Sequence, residues 1–485
     1  MPEGRAEPTV PAPHVPRKSS RFSVYIRVKP LGAGGGGGER EREGQTHRLT
    51  YDSEGVCIKE SRARASNPEH VEGEEGVSEG PPWRKGKAAK AAKGAKGGKA
   101  LHTFTYARKV VPPSSDQADA YTLMGVPDMI DAVLDGYNVN IMANGQTGSG
   151  KTHSIFGPPT VDWTSPACAP DYGLLPRAAM AICQRLNEMQ ATTGDTYVLT
   201  GAMLETVWSQ LGVKDLFAPE EEAFINAQHE VVGAVQVPLR TPSAILSFVS
   251  RVEDRATRAT GMNDTSSRSH CVVQLRIWRH LKASGKVRHS TFNFLDLAGA
   301  ERLSEAHQAY ANALDRPPKE RQALMEGMLN NYTLNILQQV VEQIHDNMRR
   351  GVKDVGSGVR FRQVSLTRIL NGSLDPKNAA MTAMIVPVSQ APHNWKPTRD
   401  ALVFGESMAK LRMKPKRQRT VPYGAFMKDI KRRHAESAAA LRRIDCAPIS
   451  RAGKGHDNKT YKYRKIRLAE SKTLRQLVDM MEECL

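Results

Sequence analysis

The sequence predicts a layered α/β domain, and two observations carry that prediction. Short apolar runs with strand character (Asn140–Ala143, Tyr197–Val207, Phe292–Leu295, Ala380–Val388) alternate with segments such as Leu174–Met189, whose apolar residues recur at helical spacing. The first of these runs leads into Gly145-Gln146-Thr147-Gly148-Ser149-Gly150-Lys151-Thr152. That stretch fits the G-x-x-x-x-G-K-[ST] pattern of a loop that cradles phosphates between a strand and a helix. With 485 residues, 39% hydrophobic and 25% charged, the chain can bury one large core and still carry additions.

Taken in order, residues 1–20 are rich in proline and charge and predict a disordered tail. Phe22–Val28 reads as the first strand, followed by the nearly pure glycine loop Gly32–Gly38, and Tyr51–Lys59 reads as another strand. Residues 62–100 have the composition of a disordered insert, acidic over Glu69–Glu79 and lysine-rich from Arg84 to Lys99. A helix is expected from about Asp116 to Leu134. Thr241-Pro242 supplies an N-cap and a first-turn proline for a helix reaching about Thr257. Val272–Trp278 alternates, and the turn Ala283–Lys286 leads back through His289–Leu295, which predicts a hairpin. Beyond about Met413 the alternation stops. Residues 416–485 read as a basic extension with short helices at Phe426–Arg443 and Ile466–Leu485. The second of these carries under two heptads of apolar spacing, too little for a coiled coil by itself.

The glycines of residues 145–150 let successive backbone N–H groups converge on one anion. In such a loop Lys151 reaches the β- and γ-phosphates and the Thr152 hydroxyl ligates Mg²⁺. Downstream, Leu295-Asp296-Leu297-Ala298-Gly299-Ala300-Glu301 ends an apolar strand. It sets Asp296 where a carboxylate can hold Mg²⁺ through water, and Gly299 where a backbone N–H can approach a γ-phosphate. Between the two lies Asn263-Asp264-Thr265-Ser266-Ser267-Arg268-Ser269-His270.

These three motifs, in this order, resemble the kinesin motor domain, and the likeness extends over about residues 21–412. Arg27-Val28-Lys29-Pro30 resembles the family's adenine-side element, and Leu366–Leu370 its track-face helix. The resemblance implies a P-loop NTPase fold, with a mostly β central sheet flanked by helices on both faces and a motor domain spanning 21–415. It implies ATP and Mg²⁺ as cofactors, with Thr152, Ser267 and Asp296 around the metal. Asn263 and Ser266 fall on the phosphate side. The resemblance makes Asn263–His270 the family's switch I and Asp296–Glu301 its switch II, and Arg268 and Glu301 pair to join the two in the closed site. Pro30 and His153 sandwich the adenine, and Arg27 lines it.

Several positions depart from the family pattern. Ala300 stands for the usual serine. In Leu329–Leu334, at the expected start of the switch II helix, Tyr332 stands for lysine. Ser365 stands for a lysine between Arg362 and Arg368. In the neck linker, Arg412 occupies the place of a docking isoleucine, Lys414 that of a latching asparagine, and Pro415 lacks a backbone donor. Docking in the usual register is therefore not expected, although Leu411 or Met413 can substitute after a shift of one residue.

The net charge of +18 favours a polyanionic partner. The resemblance points to microtubules rather than nucleic acid, through Arg362, Arg368 and the lysine-rich insert. No apolar run is long enough to span a bilayer, and the N-terminus lacks a secretory h-region. Six cysteines without metal-like spacing fit a reducing, cytoplasmic setting, here the cytoskeleton. The expected activity is microtubule-stimulated ATP hydrolysis. It serves either a motor or a kinesin-derived microtubule-binding ATPase that does not walk.

Overall fold

The computed structural model describes residues 20–30, 48–52, 56–59, 101–164, 170–206, 212–255, 269–299, 318–375, 380–390, 394–445 and 454–484. Asn263, Ser266, Ser267, Arg268, Glu301 and the lysine-rich insert lie outside the described residues. Among those described, a twelve-stranded mixed sheet forms the centre. Its middle is parallel: Val139–Ala143 lies between Lys286–Asp296 and Met381–Val388, and Ser23–Val28 continues the sheet beyond Met381–Val388. On the other side the sheet turns antiparallel. The long hairpin His270–Leu281 and Lys286–Asp296 pairs in unbroken register, and Thr196–Thr206 adds to its edge.

The two-residue period of the strands sorts the core into two layers. Val24, Ile26, Met142, Leu295, Met384 and Val386 face one layer, shared with Ile336, Leu337, Val340 and Leu402 of helices Pro318–Arg349 and Trp395–Ala409. Tyr25, Ile141, Ala143, Phe292, Phe294 and Ile385 face the other, against helices Val126–Leu134, Leu174–Thr193 and Pro242–Val249. Strands covered on both faces are buried along their whole length, as Val139–Ala143 is, and its one polar residue, Asn140, accepts a hydrogen bond from Asn293 Nδ2 at 2.7 Å.

Some elements differ from the sequence reading. The helix expected from Asp116 to Leu134 is two helices, broken at Gly125, which adopts φ 66°. Tyr51–Lys59 is split between two strands, Arg48–Tyr51 and Val56–Lys59. The helix capped by the Thr241 side chain is α-helical over Pro242–Val249, tightens to a 3₁₀ turn at Ser250–Val252 and is α-helical again at residues 253–255. The long helix begins at Pro318, well before Leu329, because Glu320, Gln322, Ala323, Leu324 and Met325 are all good helix formers. Tyr332 is thus mid-helix, and exposed.

The linker docks. Arg412–Met413 pairs antiparallel with Ser20–Arg21, and the Phe22 N–H donates to Leu411 O at 3.1 Å. Leu411 and Met413 are buried while Arg412 points outward, so the strand takes the one-residue shift. The cost of burying Arg412 never arises. Further on, Arg417 pairs with Asp135, the Gln418 N–H donates to Gly136 O at 2.8 Å, and Val421–Pro422 pairs with Lys286–Val287.

The C-terminal helices are longer than their sequence spacing suggests, Tyr423–Asp445 and Lys454–Cys484. They form an antiparallel pair against the sheet. Met427 and Met481 bury against Val198, Trp278 and Val287, and Ile466 and Ala469 pack on Phe224 and Val232. The Gly233 N–H donates to Thr473 Oγ1 at 2.7 Å. At Gly233, with φ 85°, an added Cβ would stand 2.8 Å from that of Ala469, so only glycine admits the helix this closely.

Candidate nucleotide site

The phosphate loop leaves the end of Val139–Ala143 and enters the short helix Lys151–Ile155. Gly148 and Gly150 adopt φ 73° and 105°, a backbone that other residues rarely tolerate. A Cβ built on either meets nothing within 4 Å, so the loop opens on a cradle that side chains would obstruct. Ser149 ties the loop internally through its hydroxyl to Gln146 O at 2.8 Å. Lys151 is buried, and its ammonium donates to Gly145 O at 3.0 Å and Gln146 O at 2.7 Å. Lys29 reaches the same loop at Gly148 O, 3.2 Å.

Strand pairing sets the second part of the site. Asp296 lies opposite Ala143, which places the end of the neighbouring strand beside the loop. The Thr152 hydroxyl donates to Asp296 Oδ2 at 2.7 Å, uniting two predicted metal residues. The other carboxylate oxygen, Oδ1, is buried with no hydrogen-bond partner among the described residues. An orphaned buried carboxylate oxygen beside a hydroxyl is the donor set a hard divalent cation takes, so the residues fit Mg²⁺. The cradle and Lys151 likewise fit a polyphosphate.

On the base side, Arg27 is buried. It donates to Gln117 Oε1 at 2.9 Å and to Ser154 Oγ at 3.1 Å. Gln117 in turn donates to His153 O at 2.8 Å. The structure therefore brings Arg27 and His153 together, through a residue that the sequence reading missed. Burial pushes the Arg27 guanidinium down to about 10, which still leaves it charged at neutral pH. Burial, and then Arg27, hold the His153 imidazole below its ordinary value, although part of the residue is exposed. Pro30 is exposed nearby in sequence, at the end of the same strand.

Two further buried groups escaped the sequence reading. Arg255, just before the switch I segment, pairs with Glu205 at 2.9 Å and with Asp296 at 3.5 Å, and donates to Ser269 O at 3.0 Å. Removing one partner from such a buried pair costs on the order of 3–5 kcal/mol. His270 is fully buried. Burial, then Arg255 and Lys151, push it down to about 3, so the ring is neutral. Arg255 has no signal in local spacing, because its acidic partners lie on other strands, whereas His270 closes the motif Asn263–His270 without a role in the reading of it.

Away from this site, Arg362 is exposed and Arg368 half-buried. Both are near His229, and Arg362 and His229 line a cleft of about 400 Å³ together with Arg360, Phe361 and Gln363. The Nε and Nη1 of Arg368 find no hydrogen-bond partner among the described residues.

With this geometry in hand, comparisons identify the lineage. The kinesin motor domain family matches residues 58–411, and the sheet extends ahead of that span through Ser23–Val28. The kinesin-like protein KIN-14G of Arabidopsis thaliana is 30% identical over 316 residues, covering 63% of this chain and 28% of that protein. The chromosome-associated kinesin KIF4A of Homo sapiens is 28% identical over 322 residues, covering 64% and 24%. The chain thus spans about a quarter of the length of these relatives. Among solved structures, a fast kinesin aligns with a TM-score of 0.60 at 22% identity, over 84% of this chain and 95% of that one. A KIF14 dimer, solved with AMP-PNP in complex with a microtubule, aligns with a TM-score of 0.61 at 22% identity, over 82% and 96%. A cradle on glycines, a threonine–aspartate pair across parallel strands and a family match over most of the chain lead to one conclusion: this protein belongs to the kinesin motor domain family.

Proposed function

We propose that the chain is a microtubule-stimulated ATPase of the kinesin type, with Mg²⁺ and ATP held by the loop Gly145–Thr152. The observation that carries this reading is the Thr152–Asp296 contact under the cradle, which joins the two strand ends that the chemistry needs. Bound Mg²⁺ would neutralise charge between the β- and γ-phosphates. Lys151 shares that charge from the protein side, and Gly299 offers its backbone N–H. Arg255 holds Asp296 in place through the ion pair at 3.5 Å. Ser267 would help hold the metal and order the attacking water, Asn263 and Ser266 would line the phosphates, and Arg268 would pair with Glu301 in the closed site. Arg27, Pro30 and His153 frame the base.

Arg362 and Arg368, with the lysine-rich insert, supply cations for the acidic track. The test is ATP turnover with and without microtubules. Turnover is expected to rise at least tenfold on microtubules. The Glu301→Ala chain is expected to bind ATP normally and lose turnover, because the ion pair completes only the closed state. Unstimulated turnover, or near-normal turnover in that variant, would overturn the reading.

A second reading is favoured by one observation. The linker is attached at Ser20–Arg21, at Asp135–Gly136 and at Lys286–Val287 before it enters the docked helices. A linker so attached suits a microtubule-bound ATPase that does not take many consecutive steps. A gliding assay together with single-molecule tracking separates the two readings: smooth gliding with long single-molecule runs supports the walking motor only.

A further inference from the structure

The hairpin formed by Glu222–Ile225 and Val231–Val232 carries charge that conflicts with its position. Residues 220–232 hold four glutamates, Glu220, Glu221, Glu222 and Glu230, and no lysine or arginine. All four are exposed. At the turn, His229 lines the cleft with Arg360 and Arg362. The strand Glu222–Ile225 also touches the helix Ser365–Ile369, which carries Arg368. A group of carboxylates thus stands next to the arginines that the functional reading turns toward an acidic track. Like charges brought together across such a contact oppose binding.

The C-terminal helices remove the conflict. Ile466 and Ala469 seat Lys454–Cys484 on Phe224 and Val232 of the hairpin. From that seat Lys465 reaches Glu222 at 2.6 Å, and Lys472 pairs with Glu221. Arg433, on the companion helix Tyr423–Asp445, reaches Glu230 at 3.3 Å. Three of the four glutamates therefore have a cation from the helix pair. These contacts are solvent-exposed and do little to hold the helices, a task met by the buried side chains. What they share is their target, since all three cross from a helix to the same hairpin. The charge pattern of the second helix points the same way. Between Tyr461 and Arg475 it has six lysines and arginines and a single acid, Glu470, whereas Asp479, Glu482 and Glu483 gather at the far end.

We propose that the docked helix pair masks the acidic hairpin, so that hairpin, helices and cleft arginines present one surface to the acidic face of a microtubule. The C-terminal extension thereby takes part in binding the track. The inference rests on the microtubule reading above.

The test is co-sedimentation of the full chain with microtubules, with a nonhydrolysable ATP analogue present, at low and at high salt. Glu230 is left intact, because Arg276 also interacts with its charge. The Lys465→Gln/Lys472→Gln chain is expected to bind at least about fivefold more weakly than the unaltered chain at about 0.05 M salt, and within about twofold of it at about 0.5 M, where the charges are screened. Adding Glu221→Gln and Glu222→Gln is expected to restore low-salt affinity to within about twofold, since no carboxylate is then left bare at those positions. Equal low-salt affinity of the unaltered and lysine-substituted chains would overturn the proposal. So would failure of the two glutamate substitutions to restore what the lysine substitutions remove. Amide hydrogen exchange over residues 461–475 reports docking, and is expected to be the same in all chains. Helices released by the lysine substitutions would show that the charges serve docking, and would overturn the mask. A lysine-substituted chain that kept its microtubule affinity but lost affinity for a single-stranded DNA oligonucleotide would assign the cations to nucleic acid instead. An unaltered chain that binds no microtubules would overturn the functional reading itself, and the mask with it.

Discussion

The phosphate loop and the C-terminal helix pair are both firmly built, by opposite means. The loop works through its backbone: two left-handed glycines, a lysine at fixed spacing, and a threonine beside a carboxylate. Its neighbours in space are largely its neighbours in sequence. The helix pair works through side chains whose partners lie far away along the chain. Met481 meets Val198 and Trp278, Ala469 meets Val232, Lys465 pairs with Glu222 at 2.6 Å, and Lys431 with Glu482 at 2.6 Å. The ion pairs are exposed and screened by solvent, so the buried methionines and alanine, not the charges, hold the pair in place. Chemistry that must meet a phosphate is written in local spacing. Packing that need only exclude water is written in surface complementarity, which leaves no motif.

That contrast can be broken first at the loop, where the effect is largest. Lys151→Ala is expected to weaken ATP binding by about 10²–10³-fold, corresponding to roughly 3–4 kcal/mol, and to abolish turnover, while the helix pair stays docked. Titration with a fluorescent nucleotide, with limited proteolysis as the control for docking, checks both halves. If the same variant also released the C-terminal helices, the two regions would not be independent.

The converse test removes one buried side chain from the helix pair. Met481→Ala is expected to cost about 2–4 kcal/mol through lost burial and the cavity left behind. Exchange in Lys454–Cys484 should accelerate about 30-fold or more, with ATP affinity unchanged within twofold. An equal loss of nucleotide affinity would show that the helices support the site.

The smallest expected effect sharpens the reading of the linker. Arg412 is exposed between two buried neighbours, so Arg412→Ala should change stability by no more than about 0.5 kcal/mol. Met413→Ala, one residue on, should cost about 2 kcal/mol or more. Thermal melts of the two variants decide the register, and a reversed order would show that the strand docks with Arg412 inward.

Much of the centre was legible from sequence because local rules governed it. Thr241 followed by Pro242 announces a helix start, and the Thr241 hydroxyl does accept from the Ala244 N–H at 3.1 Å. The run Asn140–Ala143 announces a doubly covered strand, and it is buried throughout. What sequence did not disclose depends on contacts between distant segments. Gln117 links Arg27 to His153 only because the first strand and the phosphate-loop helix are neighbours in the folded chain. Arg255 reaches Asp296 for the same kind of reason. In the linker, the arginine at the docking position argued against the usual register, and the alternation of Leu411, Arg412 and Met413 pointed to the one-residue shift that the strand takes, since an apolar pair two residues apart fixes which face turns inward.

The attachment of residues 412–422 also has a mechanical meaning. Three separate fastenings lie along eleven residues, and they differ in kind: a two-residue strand pair, a buttress of Arg417 and Gln418 on the turn at Asp135–Gly136, and a second strand pair ahead of the helices. Tension applied from the helix side meets the last fastening first, and the others bear load only after it yields. Loaded one at a time, such a series gives way stepwise, and the force it withstands at any moment is that of a single fastening rather than of all three. Detachment under such tension would therefore begin at Val421 and travel back toward Arg412, opposite to the direction in which the polypeptide is written.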